Sequence, residues 1–273
     1  MQSFIRWAGS KRLILPRLRE YWAEGNTRYI EPFSGSACFF FDIEPEQAIL
    51  ADINLELIST MRAIRRDVEL VLQCLRRLPV GKDVYYSIRA ANPKFLSNTE
   101  RAARFLYLNR YCFNGLYRTN RKGEFNVPYA PPRNGNGCNE QLILKGAKLL
   151  KNAQIIHGDF EQTLSYARSG DFVYLDPPYA ITSRRMFAQY DPNTFGLKDL
   201  PRLTLALNML NEMGANFIVT YADSPEARKL LAPWQPKRIK TRRNIAGFAG
   251  NRKNAFEIIG TNIDRGRLGY VTN

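Results

Sequence analysis

Asp171-Phe172-Val173-Tyr174-Leu175-Asp176-Pro177-Pro178-Tyr179 sets four apolar residues between two acids and then stops on two prolines. A run this short and apolar at every position fits a strand buried on both faces, the habit of parallel sheets. The prolines remove two N–H donors and hold the chain extended, so the strand ends there. Similar runs lie on either side. Residues 28–33 lead into a turn at Ser34-Gly35-Ser36, residues 47–52 end on Asp52, and residues 153–159 end on Asp159. Residues 215–221 and 255–261 repeat the pattern. Helical spacing fills several of the gaps, as in residues 200–213. This alternation predicts an α/β fold with a doubly wound sheet.

Between residue 54 and about residue 142 the strand pattern stops. Residues 55–78 and 100–111 carry Leu, Ile, Val and Phe at helical spacing, and Pro79 and Pro93 punctuate them. The expected division is therefore a domain made of residues 1–55 and 145–273, interrupted by a helical insertion over residues 56–144. Residues 131–137 are rich in Pro, Gly and Asn, which predicts turns. Residues 180–196, with Arg184 and Arg185, read as a long loop beside the prolines, the place where a lid is often found.

A chain of 273 residues has room for one large domain, or for one carrying a smaller second unit. Its 45% apolar and 12% aromatic content suits a folded core. No run of about 18 apolar residues predicts a membrane span, and Met1-Gln2-Ser3-Phe4-Ile5-Arg6 has no signal-peptide character. A cytoplasmic location, with no membrane partner, is expected. Cys38, Cys74, Cys112 and Cys138 are widely spaced, which argues against a disulfide framework and against zinc. No metal is expected. His157 is the one histidine, so a Ser-His-Asp apparatus would rest on it alone.

The formal net charge of +15 favours a polyanionic partner. The basic residues are clustered. Arg101, Arg104, Arg110, Arg118, Arg121, Lys122 and Arg133 face only Glu124 in the same stretch, and residues 237–253 hold no acid at all. Aromatic and amide residues interleave with both clusters, a mixture that suits phosphate contact together with base contact. An amphipathic helix with one bulky apolar face, as a lipid surface would select, is not seen.

The chemistry-bearing residues gather at strand ends. Asp52, Asp159 and Asp176 each close a strand, and open α/β sheets bind ligands at those carboxyl ends. Each Asp alone could equally cap a helix; three together, with Gly35 on the first loop, favour a site. Ser34-Gly35-Ser36-Ala37 lacks the three glycines of a dinucleotide fingerprint, and no P-loop motif is present. In Asp176-Pro177-Pro178-Tyr179 an exposed carboxylate, a free Pro177 carbonyl and an aromatic face converge. This suits an exocyclic amine on a flat heterocycle, with Asp176 and the Pro177 carbonyl accepting its two N–H bonds and Tyr179 stacking on the ring. A base held in such a pocket must leave its duplex. The motif itself does not distinguish adenine from cytosine or from a protein glutamine.

Taken together, the motifs resemble those of the Dam-type (class alpha, D12) DNA adenine-N6 methyltransferases, in that family's order and over nearly the whole chain. Phe4-Ile5-Arg6-Trp7-Ala8-Gly9-Ser10-Lys11 resembles the family's N-terminal cofactor element, Glu31-Pro32-Phe33-Ser34-Gly35-Ser36 its first strand loop, and Ala51-Asp52-Ile53-Asn54 the end of its second strand. His157-Gly158-Asp159-Phe160 resembles the element near the cofactor adenine. Residues 109–118, continuing to residues 123–128, resemble its DNA-recognition hairpin. The resemblance implies a Rossmann-like methyltransferase sheet with an inserted target-recognition domain carrying a β-hairpin. It implies S-adenosyl-L-methionine as cofactor, held by Trp7, Lys11, Phe33, Gly35, Asp52, Asp159 and Asp176, with Asp52 on the ribose hydroxyls. Double-stranded DNA would be the partner, contacted by Arg6, Phe113, Asn114, Leu116, Arg118, Asn126 and Pro128, with GATC as the implied target. The enzyme is expected to act as a monomer or weak dimer associated with the nucleoid.

The chain departs from the family pattern at three positions. Ala37 stands where a second glycine is frequent, Phe113 where Tyr is frequent, and Arg6 where a base-contacting Lys is common. Arg6 can still read guanine O6 and N7 bidentately. Catalysis is expected to rest on Asp176, Pro177 and Tyr179, by direct transfer without metal or covalent enzyme intermediate. Two rival readings stand beside this one. A methyltransferase acting on RNA or protein glutamine is disfavoured by the hairpin, and a catalytically silent DNA-binding protein by the intact Asp176-to-Tyr179 element.

Overall fold

The computed structural model describes residues 1–22, 25–132, 137–178, 195–242 and 254–264. In chain order the elements are α1 (Leu15–Arg19), β1 (Tyr29–Glu31), α2 (Phe40–Ile43), β2 (Ala48–Asp52), α3 (Leu55–Arg66), α4 (Val68–Arg76), α5 (Lys82–Ala90), α6 (Asn98–Tyr111) and α7 (Glu140–Leu150). Then follow β3 (Ala153–His157), α8 (Phe160–Leu164), β4 (Phe172–Leu175), α9 (Leu200–Met213), β5 (Asn216–Ala222), α10 (Pro225–Leu231), β6 (Lys237–Arg242) and β7 (Asn254–Thr261). The strands form one sheet in the order β3-β2-β1-β4-β5-β7-β6. The first five run parallel to one another, and β7 lies antiparallel between β5 and β6.

The apolar runs are continuous because alternate residues serve two different cores. Tyr29, Phe172, Tyr174 and Ile218 pack on one face with the N-terminal segment and with α3 and α6. Ile30, Val173, Leu175, Phe217 and Val219 pack on the other with α8, α9 and α10. Each fully buried side chain of this size contributes about 1.5–3 kcal/mol relative to exposure. The helices between β2 and β3 have no separate core: Leu57, Tyr85 and Tyr107 share one apolar cluster with Leu50 and Tyr174.

Local sequence sets the helix ends. Asn54 caps α3 by accepting from the Leu57 amide at 3.0 Å. Asp67 ends α3 and caps α4 through the Leu70 amide, so residues 55–78 form two helices where the spacing alone reads as one. Ser97 and Glu100 make a reciprocal capping box at the start of α6. Six of the strands coincide with the runs read from sequence. The seventh, β6, is Lys-Arg-Ile-Lys-Thr-Arg at the sheet edge; its charges blunt an exposed edge and hide the strand from an apolar-run search.

The topology fixes where a ligand binds. The chain lays down β1, β2 and β3 outward in one direction, then returns to place β4 on the other side of β1. The strand order reverses between β1 and β4, so the crevice opens at their carboxyl ends. Glu31 closes β1, and Asp176 follows β4.

Candidate active site

Asp176 stands one residue past β4, and the β4–β5 register carries on to it. Leu175 lies opposite Val219, and the next step brings Asp176 beside Thr220. The Thr220 hydroxyl donates to Asp176 Oδ1 at 2.8 Å. Lys11 Nζ straddles the carboxylate, 2.7 Å from Oδ1 and 2.8 Å from Oδ2, and donates to the Gly9 carbonyl at 3.1 Å. Lys11 is 5% exposed and Asp176 18%. A charge buried to that degree needs a partner, because desolvating a lone ammonium costs several kcal/mol. Lys11 and Asp176 therefore stabilise one another across 165 residues of sequence. Pro177 is buried and Pro178 exposed. Tyr179, the expected stacking residue, lies outside the described residues, as do Arg184, Arg185 and residues 243–253 of the second basic cluster.

Beside Asp176 the β1 loop is shaped around Trp7. Gly35 has φ +47°, and a Cβ there would lie 2.7 Å from Trp7 Cδ1, so only glycine fits. Asp52 Oδ2 accepts from the Gly35 amide, and Oδ1 from the Asn54 amide, each at 2.9 Å. Burial pushes the Asp52 pKa up, and those two backbone donors oppose the shift. Phe33 stacks on Phe160 with ring centroids 5.3 Å apart, making one apolar wall. Ala37, where the resemblance led us to expect glycine, takes φ +49°, a conformation that costs an L-residue about 1–2 kcal/mol.

Sequence reasoning overlooked Glu31. It is 2% exposed, and its Oε2 finds no hydrogen-bond partner among the described residues. The buried Ser34 hydroxyl is likewise without a partner among the described residues, while the Tyr29 hydroxyl lies against Glu31 and opposes the rise in its pKa. Burial drives the Glu31 pKa well above the ordinary carboxylate range, and Asp176 and Asp52 add repulsion. Orphaned polar atoms of this kind at a crevice are ready acceptors for a ligand. A single acid at the end of the first apolar run was the available signal.

Asp159 behaves differently. Its carboxylate accepts from the Glu161 amide at 3.0 Å as the cap of α8 and pairs with Arg202 at 2.6 Å. Arg202 also holds Glu161 and Asp199.

The hairpin rises from the end of α6. Residues 111–130 double back through bridges Cys112–Tyr129 and Thr119–Phe125, with Asn126 donating to Arg118 O and Phe113 to Pro128 O. Arg118 Nε donates to Asn126 Oδ1 at 2.7 Å, so two of the expected DNA contacts brace each other across the hairpin. Phe113 is 40% exposed, and Asn114 and Pro128 are exposed beside it; Leu116 is half-buried. Asn114 and Gly115 both have positive φ, and a Cβ on Gly115 would lie 2.5 Å from Arg6 Cβ. Arg6 is thus pinned to the hairpin base. Its backbone exchanges hydrogen bonds with the Asn109 side chain at 2.9 and 2.7 Å, and its guanidinium donates to Arg110 O at 3.1 Å. Burial, together with Arg110 and Arg12, lowers the Arg6 pKa. A cavity of about 300 Å³ opens beside it, with Arg12 and Arg110 in its lining. Trp7 stacks on Tyr117 at 5.7 Å, which joins the β1 loop to the hairpin.

The family model described as D12 class N6 adenine-specific DNA methyltransferase matches residues 7–245. A type II methyltransferase, M1.LlaDCHI of Lactococcus lactis subsp. cremoris, is 32% identical over 271 residues, covering 96% of this chain and 95% of that protein. The retron Ec67 DNA adenine methylase of Escherichia coli is 34% identical over 278 residues, covering 99% and 94%. The DNA adenine methylase of Escherichia coli K12 is 30% identical over 263 residues, covering 94% of each chain.

Proposed function

This chain belongs to the D12 class N6 adenine-specific DNA methyltransferases, and from that premise we propose that it methylates N6 of an adenine flipped out of duplex DNA, with S-adenosylmethionine as donor. The observation that carries the reading is the Asp176 carboxylate at the topological switch point, held there by Lys11 and Thr220.

The β1 loop fits such a cofactor. Glu31 Oε2 and the Ser34 hydroxyl offer buried acceptors without partners among the described residues, and the bare Gly35 lets Trp7 lie against the loop. Asp52 would receive the ribose hydroxyls, and the stacked Phe33 and Phe160 rings would flank the adenine, with Asp159 near it. Lys11 and Asp176 would line the end nearest the reaction. When bound, the cofactor supplies a methyl group already activated on its sulfonium.

The protein's own part is to hold and polarise the target amine. That amine is a poor nucleophile because its lone pair is delocalised into the ring. Hydrogen bonds to Asp176 and the Pro177 carbonyl favour its pyramidal form and stabilise positive charge as it develops, which is preorganised electrostatics. Tyr179 stacks on the base. Residues 56–144 act as the target-recognising portion. Phe113 and Leu116 wedge into the duplex; Arg6, Asn114 and Arg118 read bases, while Asn126 and Pro128 support the contact. GATC is the proposed site. The enzyme works as a monomer or weak dimer in the cytoplasm, on nucleoid DNA.

Incubation with methyl-labelled S-adenosylmethionine and duplex DNA, followed by digestion to nucleosides, tests this. Label in N6-methyladenosine of the deoxy series is the expected result. Label in a cytosine derivative, or in protein alone, would overturn it.

A further inference from the structure

We infer that Thr220, with Tyr174 behind it, is a positioning residue that anchors one oxygen of Asp176 and turns the other toward the target amine; this rests on the functional reading above.

Tyr174, Asp176 and Thr220 lie on the same face of the sheet. Tyr174 and Asp176 are two residues apart on one chain, and the β4–β5 register sets Thr220 beside Asp176. The Tyr174 hydroxyl lies 3.2 Å from Thr220 Oγ1, and Thr220 Oγ1 lies 2.8 Å from Asp176 Oδ1. Thr220 is 0% exposed and Tyr174 1%. Hydrogen-bond accounting then gives the chain a direction. Asp176, paired with Lys11, is ionised and only accepts. Thr220 has one proton and gives it to Asp176. Tyr174 must therefore donate to Thr220. Burial raises the Tyr174 pKa well above its ordinary value, so this donor stays protonated.

The two carboxylate oxygens end up with different surroundings. Oδ1 accepts from the Thr220 hydroxyl and Oδ2 from Lys11, whose ammonium also lies 2.7 Å from Oδ1. Among the described residues Oδ1 thus faces two donors and Oδ2 the ammonium alone, so Oδ2 is the less crowded acceptor, and the hydroxyl chain fixes the rotation that presents it. A backbone-only anchor would not do this, because Asp176 follows the strand end and its side-chain torsion is otherwise set by Lys11, a long and flexible partner.

Three variants test the inference, in single-turnover methylation of adenine in duplex DNA with saturating cofactor. Thr220→Val keeps the shape and removes the hydroxyl. Its rate constant is expected to fall roughly 10- to 100-fold, the scale of a lost preorganised donor or a displaced group, with cofactor and DNA affinities within about threefold. Thr220→Ser, which restores the hydroxyl, is expected to recover the rate to within a few-fold. Tyr174→Phe keeps the ring and its edge contact with Phe39, and is expected to slow the step several-fold; it carries the same test if Thr220→Val does not fold.

Recovery of the rate by Thr220→Ser, with cofactor and DNA affinities unchanged across the variants, is the readout that a merely structural role would not give. Equal rates for Thr220→Val and wild type, or a Thr220→Ser variant as slow as Thr220→Val, would overturn the inference while wild-type methylation of adenine leaves the functional reading standing. A wild-type protein that places no label on adenine would overturn both.

Discussion

Gly35→Ala probes the join between the β1 loop and the N-terminal segment, and the structure gives its size. The added methyl would lie 2.7 Å from Trp7 Cδ1 and 3.0 Å from Trp7 Nε1, inside any real carbon contact. The φ of +47° adds the left-handed cost of an L-residue, about 1–2 kcal/mol. Relieving the clash by moving the indole adds overpacking of about 1–3 kcal/mol. A total of about 2–5 kcal/mol follows. An unfolding entropy of about 2 cal/mol/K per residue converts this to a Tm lower by roughly 4–9 °C for a chain of 273 residues. Moving Trp7 also breaks its stack on Tyr117 and displaces the indole from the proposed cofactor. Scanning calorimetry and titration with S-adenosylmethionine, followed by tryptophan fluorescence, measure the two effects. The reasoning is refuted if Gly35→Ala matches wild type in both Tm and cofactor affinity. A large loss of affinity with unchanged Tm would show instead that Trp7 swings away without strain.

Two further outcomes are expected. Burial raises the folded-state pKa of Glu31, so its protonated form favours folding; that contribution is full below the ordinary carboxylate value and is lost as pH rises toward the folded pKa. Glu31→Gln should therefore melt higher than wild type at pH 8, with a gap that shrinks toward pH 4.5, and a gap independent of pH would contradict the assignment. Arg118→Ala should weaken binding to the preferred site by about 1–3 kcal/mol while barely changing affinity for random duplex; a uniform loss, with a shallower salt dependence, would make Arg118 a phosphate contact.

Much of this was legible in the chain because the sheet is buried on both faces. Apolar runs such as residues 172–175 and 217–219 had to be uninterrupted to serve two cores, and that made them visible. Edge strand β6 was invisible for the opposite reason: among the described residues one side faces no neighbouring strand, and Lys237, Arg238, Lys240 and Arg242 stand where a central strand would carry apolar residues. The helix break at Asp67 was hidden because Asp is equally at home in a turn and at a cap. In the site, Asp176 and Asp52 announced themselves as acids at strand ends. Thr220 did not, since a β-branched residue inside Phe217-Ile218-Val219-Thr220-Tyr221 reads as ordinary strand filling. Its role depends on a register 44 residues away in sequence. The Lys11–Asp176 pair is more remote still, and only the resemblance pointed to Lys11. Asp159 illustrates two uses of one carboxylate, since its helix cap and its pairing with Arg202 are the structural reading that its strand-end position always allowed.

The most direct test of the central claim replaces Asp176 with Ala and measures both methyl transfer and DNA binding. Duplex affinity should stay within a few-fold of wild type, because the proposed duplex contacts come from the hairpin rather than from the carboxylate, while label in N6-methyladenine should vanish. Loss of Lys11's partner is expected to lower stability, so folding is checked by melting at the same time. A folded Asp176→Ala protein that still turns over methylated adenine would contradict the account.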